Sequence, residues 1–341
     1  MGQTRVTIAD VARAAGVGIG SASRALNGKH ASPEMIERVT RAAQELGFTI
    51  NERGRALRSH VTHQVTFAVA DIGNPVYVEM LTGVQEVLEP HGYRIVIASI
   101  GEHADTAIET VRSLQSGLAD GLILSPLQVN GEFVAELASS SLPTVIIGRA
   151  IEGAHVDSIA TDSVAGVGMV VDELVSQGCR RIAFLNGPSD TTPGRSRREG
   201  LSRALANRPD VQAEVWEAPS FTIEAGYDTA SDRLRGAPDT AVPDAVLAAN
   251  DLMAIGAIGA LREIGREVPR DVAVTGIDDT LIGRVYRPAL TSLSLMAKER
   301  GRLAARRLLA RIDDPDSPRE HVVVRPELRV RESSQRGEGT R

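Results

Sequence analysis

Apolar residues near the start of the chain recur at helical spacing in three short blocks. Ile8, Val11, Ala12 and Ala15 fall at i, i+3, i+4 and i+7, which predicts a helix capped by Thr7, with Asp10 in a capping-box arrangement. Gly16-Val17-Gly18 breaks it. A second helix is expected over 19–27, with Ala22, Ala25 and Leu26 inward and Asn27-Gly28 as its stop. Ser32-Pro33 opens a third, since a hydroxyl caps and proline suits the first helical position. Ile36, Val39, Ala43 and Leu46 make its apolar face, and Gly47 ends it. Two helices joined by a tight glycine turn and braced by a third describe a helix-turn-helix. The polar face of the second helix carries Ser21, Ser23, Arg24 and Asn27, groups that bond phosphates and base edges. A purely structural three-helix bundle is the alternative.

From residue 65 the pattern becomes strand–helix alternation. Strands are expected at Val65–Ala70, Arg94–Ser99, Gly121–Leu124, Thr144–Ile147, Arg181–Leu185, Ala213–Glu217, Ala245–Ala248, Val272–Thr275 and Val322–Val324. This alternation predicts an α/β body of doubly wound parallel sheets in two lobes. Ligands of such sheets sit beyond the carboxyl ends of strands. Those ends include Asp71, Ser125, Arg149, Asn186, Asn250 and Asp278. Residues 333–341 read as a flexible tail.

Charge separates the same two regions. Residues 1–60 carry nine basic and five acidic side chains, a net of +4, while the remainder carries −10. A basic head on an acidic body suits a polyanion-binding module on a larger domain, although a chance fluctuation would look the same. One cysteine, Cys179, excludes a disulfide framework. No run is apolar enough to span a bilayer, and Arg5, Asp10 and Arg13 interrupt any leader-like stretch, so a cytoplasmic setting without membrane association is expected.

Several motifs fail on inspection. Gly16-Val17-Gly18-Ile19-Gly20 follows a helix, whereas a dinucleotide loop follows a strand. The seven histidines show no metal-ligand spacing, so neither a metal nor a cofactor is expected. Asp278-Asp279 is a carboxylate pair whose adjacent members point apart, which suits hydrogen bonding to a polyol better than acid–base catalysis. No nucleophile–base pairing emerges, so no enzymatic activity is expected.

In order along the chain stand Thr7-Ile8-Ala9-Asp10-Val11-Ala12, Ser23-Arg24-Ala25-Leu26-Asn27, Gly47-Phe48-Thr49-Ile50-Asn51 and Asp71-Ile72-Gly73-Asn74-Pro75. Pro243-Asp244-Ala245-Val246-Leu247-Ala248-Ala249-Asn250-Asp251, Gly276-Ile277-Asp278-Asp279 and Val330-Arg331-Glu332-Ser333 follow. In this order they make the chain resemble a LacI/GalR-family transcriptional regulator from Val6 to Ser334. The resemblance implies a helix-turn-helix head at 1–50, a hinge helix and linker at 51–61, and a periplasmic-binding-protein-like effector-binding and dimerisation domain at 62–332. It implies that the chain crosses between lobes near 162, 290 and 324. It also implies a homodimer or higher assembly on a near-palindromic double-stranded DNA operator, acting as a repressor. A small-molecule effector, a sugar by preference, would bind between the lobes.

Carried over by position, Arg24 matches the family's base-reading arginine. Ile19 and Gly20 occupy its specificity positions without hydrogen-bonding side chains. Thr7, Ser21, Ser23, Asn27 and His30 match phosphate contacts. Asn51–Arg58 matches the hinge helix, with Leu57 as a minor-groove wedge and Gly54 weakening the helix by about 1 kcal/mol. For the effector the matching positions are Asn74, Tyr77, Arg197, Phe221, Asn250 and Asp278, with Ser125 and Arg149 added from their strand ends. A sugar-binding transport protein and a sugar-converting enzyme are the competing readings. The basic head opposes the first and the missing catalytic constellation opposes the second.

Overall fold

The computed structural model describes residues 6–26, 31–48 and 61–336. Asn27, His30, Asn51, Gly54, Leu57, Arg58 and residues 337–341 lie outside the described residues. The chain forms two units, Met1–Thr62 and His63–Arg341.

The smaller unit contains α1 (Ile8–Ala14), α2 (Ile19–Leu26) and α3 (Pro33–Glu45). The Asp10 carboxylate accepts from the Thr7 amide at 3.0 Å, and Ser32 Oγ accepts from the Met35 amide at 3.3 Å. Gly16 closes α1 with φ +63°, a left-handed conformation that glycine adopts freely. The core is mostly alanine: Ala12, Ala15, Ala22, Ala25, Ala42 and Ala43 pack around Val11 and Val39. Such small side chains let three short helices cross closely, but they bury little area.

The larger unit holds two six-stranded sheets. The first comprises β1 (Gln64–Val69), β2 (Arg94–Ser99), β3 (Gly121–Ser125), β4 (Thr144–Ile147), β5 (Asp157–Thr161) and β11 (His321–Val324), all parallel, in the order β11-β5-β4-β3-β1-β2. The second comprises β6 (Arg181–Asn186), β7 (Gln212–Glu217), β8 (Ala245–Ala248), β9 (Ala273–Ile277), β10 (Thr291–Ser294) and β12 (Glu327–Arg329). Its order is β12-β10-β9-β8-β6-β7, and only β12 runs antiparallel. The helices are α4 (Pro75–Leu88), α5 (Ala104–Leu114), α6 (Gly131–Ser139), α7 (Ser163–Ser176), α8 (Thr192–Leu205), α9 (Ile223–Leu234), α10 (Asp251–Glu263), α11 (Leu281–Val285) and α12 (Ala297–Asp313).

The first lobe is completed from the far end of the chain. Helix α12 lies against α4, so close that a Cβ on Gly83 would stand 1.9 Å from the Lys298 carbonyl oxygen. A Cβ on Gly301 would stand 2.1 Å from the Met80 carbonyl. Asp157, fully buried on β5, accepts from Arg307 Nε at 2.7 Å, Arg311 Nε at 3.0 Å and the Glu320 amide at 2.8 Å. Burial opposes its ionisation, but these donors outweigh it and hold the carboxyl below its ordinary range.

Two expectations need correction. The second crossing lies at Leu295–Met296 rather than near Leu290, because Thr291–Ser294 forms β10 of the second sheet. Met296 turns the chain there with φ +57°. The other two crossings fall at Asp162 and at Arg325–Pro326. The tail read over 333–341 is also too long at its start, since Ser333 and Ser334 are fully buried. Ser333 Oγ donates to the Val274 carbonyl at 2.6 Å and accepts from the Thr291 amide at 2.8 Å. Polar composition misled there, because each hydroxyl serves a buried backbone or hydroxyl group.

Candidate functional sites in the head and the cleft

Helix α2 buries Ala22 and Ala25 and turns the other side outward. Arg24 is exposed, with Nη2 donating to Ser21 Oγ at 3.2 Å one turn back. Gly20 and Thr7 are exposed, Ser21 and Ser23 are half-buried, and Ile19 is 55 % exposed. A large apolar side chain so displayed at the start of a helix, with an exposed arginine further along it, offers contacts to both a methyl group and a polar base edge.

In the larger unit, the carboxyl ends of both sheets face a cavity of about 350 Å³. All eight expected residues line it: Asn74, Tyr77, Ser125, Arg149, Arg197, Phe221, Asn250 and Asp278. Their states differ. Asn74 caps α4, its Oδ1 accepting from the Val76 amide at 3.1 Å. Asn250 caps α10 at 2.8 Å through Oδ1, and its Nδ2 donates to the Phe221 carbonyl at 2.8 Å. Both side chains therefore shape the wall with much of their bonding capacity already used. Arg149 is exposed at the margin, and Ser125 is buried at the end of β3.

Arg197 and Asp278 are each 6 % exposed, with Arg197 Nη2 3.9 Å from Asp278 Oδ1. The Arg197 guanidinium lies 5.8 Å from the centre of the Phe221 ring. That ring packs on bare backbone, since a Cβ on Gly187 would meet it at 2.2 Å. Asp278 adopts φ +108° and Asp279 φ +54°, and the turn sends their carboxylates to different partners. Asp279 is held by Arg331 at 2.5 Å, while Asp278 looks into the cavity.

Burial pushes the Asp278 carboxyl up to about 6, against the pull of Arg197 and Arg300. Burial and the Asp278 charge push the Tyr77 phenol up to about 12, keeping it a neutral donor. Behind the wall, Asp251 accepts from the Thr280 amide at 2.7 Å and Ser292 Oγ at 2.5 Å. Burial, then the Asp278 charge, raises it to about 7.

Arg300 also lines the cavity, and sequence reasoning missed it. The stripe of Ala297, Gly301, Ala304 and Leu308 marks the inward face of α12, and Arg300 falls within it at helical spacing. Gly187 was missed as well, since no local pattern distinguishes it.

Comparison with known proteins agrees with this geometry. Residues 7–51 match the model of bacterial regulatory proteins of the lacI family, and residues 171–334 match a periplasmic binding protein-like domain. The chain is 33 % identical to the HTH-type transcriptional regulator CelR of Thermobifida fusca, over 96 % of this chain and 98 % of that one. It is 30 % identical to the ribose operon repressor of Escherichia coli K12, over 96 % and 99 %. A solved CelR–cellobiose complex superimposes with TM-score 0.71 at 32 % identity, covering 96 % of this chain and all of that one. The lac repressor dimer bound to operator and an anti-inducer superimposes at 0.85, with 24 % identity over 97 % and 99 % of the two chains, which shows the shared fold. No helix among the described residues is long and apolar enough to cross a membrane. Thirty-three per cent identity over nearly the whole chain, with a helix-turn-helix whose second helix displays Arg24 and a two-lobed body enclosing a cavity with buried charged groups, places this chain in the lacI family of bacterial transcriptional regulators.

Proposed function

We propose that this regulator is a cytoplasmic repressor that binds a near-palindromic operator as a homodimer and changes its operator affinity when a sugar occupies the cleft. It acts by binding rather than by catalysis. Arg24 reads guanine, and Ile19 and Gly20 add apolar contact and close backbone approach. Thr7, Ser21 and Ser23 contact phosphates, joined by Asn27 and His30. The segment Asn51–Arg58 enters the minor groove through Leu57. The observation that carries the effector half is the cavity itself: buried Asp278, Arg197 and Tyr77 around the Phe221 ring face, at the carboxyl ends of two parallel sheets. Planar charged groups bond vicinal hydroxyls, and the ring takes the apolar face of a sugar. A volume of about 350 Å³ lies at the small end of ligand sites, of the size for one sugar ring. Dimerisation is supported by Val78, Leu281 and Val285, which are exposed on α4 and α11 around the Glu79–Arg284 ion pair joining the lobes.

Gel-shift titration of the full chain tests both halves. Arg24→Ala should cost about 1–3 kcal/mol of discrimination between the operator and a site altered at one guanine, while salt-sensitive non-specific binding persists. Equal discrimination sinks that assignment. Asp278→Ala should leave DNA binding intact and weaken the response to sugar by about one to two decades. A variant that responds at the parent's sugar concentration removes Asp278 from the site.

A further inference from the structure

We propose that the ligand of this cleft carries a carboxylate, making it a monosaccharide acid rather than a neutral sugar; this rests on the sugar reading above and narrows it. The inference starts from Arg300. It is 7 % exposed, lines the cavity, and projects from α12 where Gly301 presses that helix onto α4. Among the described residues its side chain has neither an ion-pair partner nor a hydrogen-bond acceptor, and its buried Nε is unsatisfied. Arg197, on α8 of the other lobe, is in a similar condition. Its Nε is also unsatisfied, and Asp278 stands 3.9 Å away, beyond hydrogen-bond distance.

Two buried guanidinium groups from opposite lobes therefore share one buried carboxylate. The other acidic residues of the cavity, Asp71, Glu102, Asp162 and Glu199, stand at its exposed or half-buried margin. Asp71 accepts from the Gly73 amide, Asp162 from the Ala165 amide, and Glu199 pairs with Arg203. They do not fill the deficit at depth. Burial depresses the basicity of both arginines, as it does for a cation short of partners.

Water can solvate these donors while the cleft is open to it. A ligand that displaces the water must replace its hydrogen bonds, because an unpaired buried charge is costly. The planar fork of a guanidinium matches a carboxylate with two parallel bonds. Charge count selects the acid: Asp251 lies behind the wall with its carboxylate taken by Thr280 and Ser292, so at the cavity face two guanidinium groups less Asp278 leave a positive charge. A monocarboxylate balances it, whereas a phosphate ester brings about −1.5 to −2. A neutral sugar leaves it unbalanced. The acid would bridge the lobes, touching Arg197 from one and Arg300 from the other.

The test is calorimetric titration of the full chain with D-glucuronate, D-galacturonate and D-gluconate, each beside its neutral counterpart, D-glucose, D-galactose or D-glucitol. D-glucose 6-phosphate is the phosphate arm. At least one acid should bind about 10- to 100-fold more tightly than its counterpart, and Arg300→Leu should bring that ratio close to one. Leucine suits a buried helix position, so loss of the fold is not expected, and a melting curve checks it. The inference is overturned if neutral sugars bind as well as the acids, if Arg300→Leu keeps the ratio, or if the phosphate ester is preferred. Neutral binding without acid preference leaves the sugar reading standing. Failure of every compound to bind overturns both.

Discussion

The two lobes share a six-stranded plan but treat buried carboxylates in opposite ways. In the first lobe, Asp157 is enclosed by two arginines and a backbone amide, and its pKa falls despite burial. In the second, Asp278 has one arginine at 3.9 Å and Asp251 has hydroxyl and amide donors, and both are raised, to about 6 and about 7. The difference separates two uses of a buried charge. Asp157 joins parts of the chain more than 140 residues apart and has every partner it needs. Asp278 is left short of partners at a cavity wall, where a ligand can supply the rest.

The largest effect expected from this contrast comes from Asp157→Asn. It keeps the shape but removes the buried charge, leaving Arg307 its pair with Glu320 and Arg311 only the Pro315, Ser317 and Pro318 carbonyls, at a cost of about 1.5–3 kcal/mol. Hydrogen exchange should then quicken in β5, β11 and α12 before it does in the second sheet. Uniform loosening of both lobes, or a loss below about 1 kcal/mol, breaks the claim that Asp157 fastens the first lobe.

A smaller effect is expected from pH. A carboxyl with a raised folded pKa favours the fold while protonated. That contribution is complete below about pH 4 and is lost as pH climbs through the folded value. Asp278 and Asp251 should thus weaken the unliganded protein as pH rises from about 4 through about 6 to 7. Asp157, held low, acts in the other sense: its contribution is present at neutral pH and is lost as pH falls below about 4. Urea denaturation from about pH 5 to about pH 8 should show Asp278→Asn flattening the slope by about 1–1.5 kcal/mol in total. A slope equal to the parent's would place Asp278 in a fully partnered setting after all.

The same contrast explains what could be read from the chain in advance. Caps such as Thr7–Asp10 and Ser32–Pro33 act within four residues, and most strands announce themselves as apolar runs. The cleft residues at strand ends followed from that alternation and from family resemblance. Strands β5 and β10, with sequences DSIAT and TSLS, escaped because their buried polar groups are satisfied from afar. Ser158 bonds His321, and Thr291 bonds Ser333 and Ser334. Arg300, Arg307 and Arg311 look like the solvated face of a charged helix until their surroundings are known. Local pattern carries no record of partners so distant in sequence.

The threefold passage of the chain between lobes also sets an order in time. Strands β1–β5 leave the ribosome first, but α12, which covers their sheet, begins more than 130 residues after β5 ends. At about 5–20 residues per second that is a wait of roughly 7–30 s. Through that interval Phe67, Ile123, Val145 and Ile147 lack the Ala304, Ala305 and Leu308 surface they finally pack against. The second lobe, apart from its edge strand β12 and the Glu332–Ser334 turn that buries Ser333 and Ser334, is by then already synthesised. The lobe that begins first therefore waits longest for its covering helix, so nascent chains stalled before Ala297 should be the species most in need of a chaperone.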